Sequence, residues 1–233
     1  MSLRVGVLAS GAGTNLQAIL DRVHGREGVE VVAVGSDKPE APVLGRAEAA
    51  GVATAVFPLE RRGDPTRGGA SSRGGLFRTE PSPGSEAPRP FPDRVARDAA
   101  MADWLEKHRV DLVVLAGYMQ LLSPAFLSRF AQRVVNVHPA LLPAFPGIRS
   151  VEQALAYGVK VFGVTVHFVD EGVDTGPIIL QRALDLPEAA DADAVRSALR
   201  PVEHELLCEA VRLIARDAVR IDPANPRRVL IAA

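Results

Sequence analysis

Short apolar runs alternate with segments of helical periodicity along most of the chain. The runs are rich in β-branched residues, which is typical of strands buried on both faces of a sheet. They occupy positions 3–9, 29–34, 53–58, 111–116, 134–137, 161–169 and 178–183, and the helical segments occupy 16–23, 41–51, 93–108, 150–157 and 191–216. Strands that alternate with helices predict an α/β protein with a doubly wound, mostly parallel sheet. A short turn joins the last two runs, so we expect an antiparallel hairpin in the C-terminal part.

Four local features refine this outline. Helix 93–108 has an apolar face that we expect to be buried, made by Val95, Ala99, Ala102, Trp104 and Leu105. Ser150 is predicted to cap the helix that it opens, because its hydroxyl can accept a bond from a free backbone N–H. Residues 191–216 predict one long amphipathic helix or two, and residues 228–231 predict a last edge strand.

The composition is that of an ordinary globular protein. The chain has 233 residues, of which 47% are hydrophobic and 24% charged, so it can bury a substantial core and we predict a single domain over 1–233. Segment 60–92 differs, because it is dense in Arg, Gly, Pro and Ser and has no apolar period. It predicts a flexible or irregular insertion. A basic flap that touches an anionic ligand is the alternative.

Charge and cysteine content narrow the class of protein. The formal charge of −1 gives no sign of a nucleic-acid partner, and no run of about 18 apolar residues indicates a membrane span. The single cysteine, Cys208, rules out an internal disulfide framework and is typical of a reducing compartment. We therefore expect a cytoplasmic protein that works on neither nucleic acid nor membrane. A homodimer is an alternative to a monomer at this point.

A glycine-containing loop, SGAGTN at positions 10–15, joins the first strand to the first helix. Strand, glycine loop and helix together point backbone N–H groups at an anion. The dinucleotide fingerprint requires a third glycine where Leu16 stands. The loop therefore favours a single phosphate monoester, held by Gly13, Thr14 and Asn15, while a tight turn without a ligand is the alternative.

The stretch 134–147, VVNVHPALLPAFPG, places polar groups at the end of a predicted buried strand. Ligands bind at the carboxyl ends of strands in such sheets. Asn136 can donate to a carbonyl oxygen that becomes an oxyanion, and His138 suits acid–base work near neutral pH. Asp174, in a glycine-bounded turn, would favour the charged form of a nearby histidine. The tight Leu-Leu-Pro turn predicts a cis bond between Leu142 and Pro143.

Other chemistries lack the residues that they need. The histidines and acids between 138 and 174 show no H-x-x-x-H or H-E-x-x-H spacing, so we expect no metal. No G-x-S-x-G elbow is present, and Cys208 stands in an apolar helical context, so no covalent nucleophile is indicated. Asn136, His138 and Asp174 then suit direct acyl transfer to an amine carried by the substrate. His167 lies mid-strand and is either a supporting residue or a direct participant.

Five separate segments resemble the glycinamide ribonucleotide formyltransferase family, in the same order along the chain. They are VLASGAGTNLQAI at 7–19, LAGYM at 115–119, VNVHPALLP at 135–143, GVTVHFV at 163–169 and DTGPI at 174–178. Segment 60–92 has no counterpart that we expect in that family. Gln120 stands where the family often has a basic residue.

The resemblance implies a Rossmann-like formyltransferase fold and a reaction of purine biosynthesis. The amine of 5′-phosphoribosylglycinamide would attack the formyl group of 10-formyltetrahydrofolate, which serves as a co-substrate. Asn136 and His138 would stabilise the tetrahedral oxyanion, with His138 as proton donor. Asp174 would keep His138 charged and guide proton transfer. These two small molecules are the expected partners.

The resemblance also implies binding and supporting residues. The ribonucleotide would contact Gly13, Thr14, Asn15 and Glu203. The folate would contact Arg94, Met119, Gln120, Leu121, Leu122, Asn136 and Asp170. His167 and Thr165 would support the catalytic residues.

Three alternatives share parts of this pattern. Methionyl-tRNA formyltransferase resembles a longer chain with a C-terminal RNA-binding barrel, and formyltetrahydrofolate deformylase would carry an N-terminal regulatory domain; we expect neither domain here. A non-catalytic ligand-binding protein with a nucleotide-type fold comes from a different class. Such a protein would tolerate His138→Asn without losing its role.

Overall fold

Nine strands form one sheet in the computed structural model, which describes residues 2–60 and 90–232. The strands are β1 (Leu3–Leu8), β2 (Val29–Ser36), β3 (Ala53–Val56), β4 (Leu112–Leu115), β5 (Val134–His138), β6 (Val161–Phe168), β7 (Ile178–Asp185), β8 (Val219–Asp222) and β9 (Asn225–Ile231). The helices are α1 (Thr14–Arg22), α2 (Pro42–Ala49), α3 (Arg94–Lys107), α4 (Pro124–Arg129), α5 (Ser150–Tyr157) and α6 (Ala192–Ala215).

The first five strands are parallel and lie in the order β3-β2-β1-β4-β5. The chain leaves β1 in one direction, to β2 and β3, and later returns to the other side of β1 with β4. The loops that follow β1 and β4 therefore diverge at the carboxyl edge and open a crevice there, which is where ligands bind in sheets of this kind. The predicted doubly wound, mostly parallel α/β sheet is confirmed.

Most of the C-terminal strand pairs are antiparallel, and only the contact between β7 and β9 is parallel. β6 runs antiparallel to β5 and β7, so the predicted hairpin is confirmed. β9 meets β7 at Ile178 and Arg228 and pairs along its length with β8. The prediction of a last edge strand at 228–231 was wrong in two respects: the strand begins at Asn225, and β8 forms the edge.

Helices cover both faces of the sheet, because successive strand residues point to opposite sides. One apolar cluster joins one face to α1, α2, α5 and α6, and contains Val7 of β1. The other joins the opposite face to α3 and α4, and contains the next residue, Leu8. Burial on both faces explains why the parallel strands are continuous β-branched runs.

Two helices differ from the sequence-based expectations, and for a third the structure decides between the two predicted alternatives. In α3 the predicted apolar face was partly wrong, because Val95 is 58% exposed while the charged Arg97 and Asp98 are buried. Ser150 is not the cap of α5; Arg149 precedes the helix in the left-handed region, and Ser150 is buried in its first turn. Residues Ala192–Ala215 form one helix, not two.

The predicted insertion, 60–92, lies outside the described residues except at its two ends. Leu59 and Phe91 form a β-bridge there, and the backbone N–H of Glu60 donates to the carbonyl of Phe91 at 2.9 Å. The residues on either side of segment 61–89 are therefore neighbours in space.

Candidate active site

Strand register brings the central polar residues to one face. Asn136 and His138 stand two positions apart on β5, so their side chains point to the same side of the sheet. Antiparallel pairing places His167 of β6 opposite Asn136, and Thr165 opposite His138. Side chains that face each other across such a pair lie within contact distance. The four residues therefore form one polar patch next to the end of β5.

Asp174 approaches this patch from the turn between β6 and β7. Its Oδ2 lies 3.3 Å from His138 Nδ1 and accepts a hydrogen bond of 2.7 Å from the backbone N–H of Gly147. Its Oδ1 lies 3.5 Å from His167 Nε2 and accepts a bond of 3.3 Å from Asn136 Nδ2. One carboxylate thus joins both histidines, the amide and the loop after β5.

These contacts keep Asp174 ionised. Burial on its own would raise the pKa of this carboxyl group. The hydrogen bond with His167, the N–H of Gly147 and the charges of His138 and His167 outweigh that effect and lower its pKa to about 2. The side chain is 13% exposed, so its charge acts where little water screens it.

His138 has an oxygen acceptor at each ring nitrogen. Its Nε2 lies 2.9 Å from the carbonyl oxygen of Phe145, and its Nδ1 faces Asp174. Neither oxygen can donate, so each contact becomes a hydrogen bond only where the ring nitrogen that faces it carries a proton.

Thr165 holds the loop that follows β5. Its hydroxyl donates to the carbonyl of Ala140 at 2.7 Å and accepts the backbone N–H of Leu142 at 3.1 Å. Gln181 of β7 donates to the same hydroxyl and to the carbonyl of Leu142. The bond between Leu142 and Pro143 is cis, as predicted. The predicted supporting position of Thr165 thus has a structural basis.

A cavity of about 240 Å³ opens beside Asn136 and Asp174. Its wall contains the expected folate-binding residues Arg94, Gln120, Leu121, Leu122, Asn136 and Asp170. Met119 lies outside this wall and lines a neighbouring cleft instead. His138 is buried and does not line the cavity. It contacts Asp174, which does line the cavity. The turn 170–174 and the loop after β4 both contribute residues to the wall of the cavity.

The neighbouring cleft lies at the crevice between the loops after β1 and β4. It is lined by Ser10, Gly11, Ala12, Gly13, Thr14, Asn15, Lys38, Ala116, Gly117 and Met119. Helix α1 begins here, and the N–H groups of its first turn have no partner within the helix. Together with the ammonium group of Lys38 they make a setting that favours an anion.

Gly13 is required at the start of α1 for two reasons. Its φ of 73° lies in the left-handed region, which a residue with a Cβ rarely adopts. An added Cβ would also come within 2.9 Å of three Val43 atoms, one of them in the backbone. The close packing of α1 against α2 therefore depends on glycine at this position.

Glu203 of α6 meets Asn15 of α1 although 188 residues separate them. The amide Nδ2 of Asn15 donates to Glu203 Oε2 at 3.3 Å. Burial raises the pKa of Glu203, while the bond from Asn15 and the charge of Arg200 oppose the rise. The Oδ1 of Asn15 is buried and has no hydrogen-bond partner among the residues that the structure describes.

Sequence reasoning missed several residues of the site. Lys38 borders the anion cleft, Tyr118 lines the cavity, and Gln181 supports the loop after β5. Lys38 stands just beyond the end of β2 and Tyr118 just beyond the end of β4, and these positions at strand ends were an available signal. Gln181 carried no such signal, because its role depends on which strands become neighbours.

The comparisons with known proteins agree with this geometry. A family model described as formyl transferase matches residues 3–211. The chain belongs to the formyl transferase family. It is 39% identical, over 94% of its length and 87% of the relative's, to a phosphoribosylglycinamide formyltransferase of Mycobacterium tuberculosis. It is 36% identical to the trifunctional purine biosynthetic protein adenosine-3 of Drosophila melanogaster, over 94% of this chain and 14% of that protein.

The fold is that of solved formyl transferases. A crystal structure of glycinamide ribonucleotide transformylase 1 from Symbiobacterium toebii matches with a TM-score of 0.82 and 42% identity, covering 100% of this chain and 95% of the other. The resemblance drawn from the five segments is confirmed, and so is the expected fold. The chain is accordingly a transferase.

Two kinds of feature are absent from the described residues. Over residues 2–60 and 90–232, no group of three or more His, Cys, Asp or Glu side chains is arranged to hold a metal ion. Among the helices in those residues, none is both long and apolar enough to cross a membrane.

Proposed function

We propose that this formyl transferase moves the formyl group of 10-formyltetrahydrofolate to the amine of 5′-phosphoribosylglycinamide, in purine biosynthesis. The observation that carries this proposal is the pair of adjoining clefts. One has the features of an anion site at a helix N-terminus, and the other ends at an amide, a buried imidazole and a carboxylate. A phosphorylated amine in the first cleft could reach a formyl donor in the second.

The catalytic steps follow from the contacts around Asp174. The substrate amine attacks the formyl carbon, a C–N bond forms, and the carbonyl oxygen becomes an oxyanion. In this proposal Asn136 and His138 stabilise that charge as it develops, and the Asn136 amide, which lines the cavity, donates a hydrogen bond to the oxygen. Asp174 keeps His138 protonated before the reaction, because its charge and position favour the imidazolium.

Collapse of the intermediate completes the transfer. The bond between the formyl carbon and the folate nitrogen breaks, the electron pair returns to that nitrogen, and the nitrogen takes a proton. The attacking amine loses one proton, so protons balance overall. In this proposal His138 and Asp174 guide that exchange, and no covalent adduct with the protein forms.

The two substrates have separate binding residues in this proposal. Gly13, Thr14 and Asn15 hold the phosphate of the ribonucleotide, and Glu203 holds its ribose or glycinamide end. The folate lies in the cavity against Arg94, Gln120, Leu121, Leu122 and Asp170. Met119 lies between the two clefts. We place the reaction in the cytoplasm, where the free, buried thiol of Cys208 would stay reduced.

A competition assay tests the proposal and separates it from its alternatives. In one sample the purified chain receives 10-formyltetrahydrofolate together with 5′-phosphoribosylglycinamide and charged initiator tRNA as competing acceptors. A second sample receives no acceptor. We expect formyl transfer to the ribonucleotide and little to the tRNA. Preferred formylation of the tRNA, or hydrolysis that is as fast without an acceptor, would contradict the proposal. The matched control is His138→Asn, which a non-catalytic binding protein would tolerate.

A further inference from the structure

A buried ion pair on α3 lies behind the wall of the cavity and takes no part in the reaction described above. Arg97 and Asp98 are both 0% exposed. Two guanidinium nitrogens, Nη2 and Nε, donate to Asp98 Oδ1 at 2.6 and 2.8 Å. Burying two charges costs several kcal/mol per ion, and good geometry repays this only in part. A packed apolar pair would stabilise the fold as well, so stability alone does not account for these residues.

The ion pair is joined to the segment that leaves β4. Nη2 of Arg97 donates to the backbone carbonyl of Leu121 at 3.0 Å, and Nη1 donates to the side chain of Gln120 at 3.4 Å. Asp98 Oδ2 accepts the backbone N–H of Ser123 at 2.5 Å. The guanidinium carbon also lies 5.9 Å from the centre of the Tyr118 ring. Every one of these contacts falls within residues 118–123.

Segment 118–123 has no helix or strand to hold it in place. Residues in a sheet are positioned by ladder hydrogen bonds, whereas an irregular backbone needs other partners. Here the partners of Leu121 and Ser123 are side chains of α3. Leu121 itself is 57% exposed and lines the cavity, so packing does not fix it.

Gln120 extends the same chain of bonds to the loop after β2. Its Oε1 accepts from Arg97, and its Nε2 donates to Asp37 Oδ2 at 3.1 Å. Both ends of the amide are used, which determines its orientation in the cavity wall. The next residue after Asp37 is Lys38, which borders the anion cleft. These hydrogen bonds thus link α3 to Gln120 in the cavity wall and, through Asp37, to the residue next to Lys38 at the anion cleft.

We propose that Arg97 is a positioning residue for the folate, because it holds segment 118–123 as the wall against which that co-substrate binds. This inference rests on the proposed function, since it takes the cavity to be the folate site. Loss of Arg97 raises the KM for 10-formyltetrahydrofolate and the Kd for tetrahydrofolate. The turnover number and the KM for 5′-phosphoribosylglycinamide change little, because the catalytic residues and the anion cleft do not contact Arg97.

Four variants distinguish two roles of Arg97: holding segment 118–123 in position, and neutralising the buried charge of Asp98. R97M leaves Asp98 buried without its partner, so we expect it to lower stability as well as affinity. R97M/D98N removes both charges and keeps a side-chain oxygen for the N–H of Ser123. R97K keeps the charge but loses the forked geometry of the guanidinium. R129M is the matched control, since Arg129 pairs with Glu106 at the surface and lies outside the cavity wall.

Three measurements are made on each full-length variant: urea unfolding, the Kd of tetrahydrofolate by anaerobic calorimetry, and the KM of each substrate with the turnover number. For R97M/D98N we expect an unfolding midpoint close to wild type, with Kd and folate KM raised about tenfold, which corresponds to about 1.4 kcal/mol. R97K is expected to fall between this variant and wild type. R129M should leave both folate constants unchanged.

Two results would overturn the inference. If R97M/D98N regains stability and also binds tetrahydrofolate as wild type does, Arg97 only neutralises Asp98 and does not position the folate. Should that variant fail to fold, a wild-type Kd in R97K leads to the same conclusion. If the wild-type protein transfers formyl groups and R97M/D98N binds tetrahydrofolate with unchanged affinity, this inference is refuted and the proposed function is not. A wild-type protein that neither binds tetrahydrofolate nor transfers formyl groups refutes the proposed function with it.

Discussion

Asp174→Asn removes a buried negative charge at almost constant size, and its effect on stability can be calculated. The pKa of Asp174 is lowered from 3.8 to about 2. Because a tenfold change in proton affinity corresponds to about 1.4 kcal/mol, the carboxylate contributes roughly 2 kcal/mol to the free energy of unfolding at pH 7. A depressed folded-state pKa gives stability that is present above the ordinary value and lost as the pH falls towards 2.

The difference in unfolding free energy between wild type and Asp174→Asn should therefore depend on pH. We expect roughly 2 kcal/mol at pH 7, nearly the same at pH 5, and roughly half of that at pH 3. Urea unfolding, followed by circular dichroism at each pH, measures it. Asp193→Asn is the matched control, since the side chain of Asp193 is 93% exposed and exposed pairs contribute little.

Two outcomes would refute this reasoning. A difference that is equal at pH 7 and pH 3 would show that the carboxylate is not preferentially stabilised in its charged form. A difference near zero at pH 7 would show that the bonds from the histidines and Gly147 do not outweigh the cost of burial. Either result would also remove the basis for Asp174 keeping His138 protonated.

Other consequences follow from the same geometry. His138→Ala and Asp174→Ala should each lower the turnover number about 10²- to 10⁴-fold with unchanged circular dichroism, and near-normal turnover in either would contradict the assignment. EDTA should leave formyl transfer unchanged, whereas inactivation that zinc reverses would indicate a metal enzyme. Gly13→Ala should raise the KM for the phosphorylated acceptor and lower the urea midpoint, while Gly45→Ala, a helical position with open space, should do neither. Deleting residues 62–90 should leave substrate affinity intact, and a large rise in either KM would show instead that this segment contacts a ligand.

The local pattern was sufficient for most of the regular elements. β-branched runs, helical periodicity and turn residues act over a few positions, so strands β1 to β7 and most helix bounds follow from the order of residues alone. The pattern did not predict β8. The loop at 10–15 and the stretch 134–147 were informative for a similar reason. Glycine allows backbone conformations that other residues avoid, and proline restricts the backbone where it stands. A polar side chain at a strand end has a known place in a parallel sheet.

Helix α3 shows where the local pattern is insufficient. Its apolar spacing favoured Val95 on the buried face, whereas the structure buries Arg97 and Asp98. Periodicity assigns charged residues to solvent, because an unpaired buried charge is costly. It has no information about the carbonyl of Leu121 or the N–H of Ser123, which satisfy those charges from another segment.

The sequence by itself determined the fold class, the family and the identity of Asn136, His138 and Asp174 as candidates. Only the tertiary structure decided how they meet. The register of β5 against β6 places His167 beside Asn136, and the turn before β7 brings one carboxylate to both histidines. The contact of Asn15 with Glu203 spans 188 residues. Such contacts depend on strand order and register, which are set by packing of the whole sheet and not by any local run of residues.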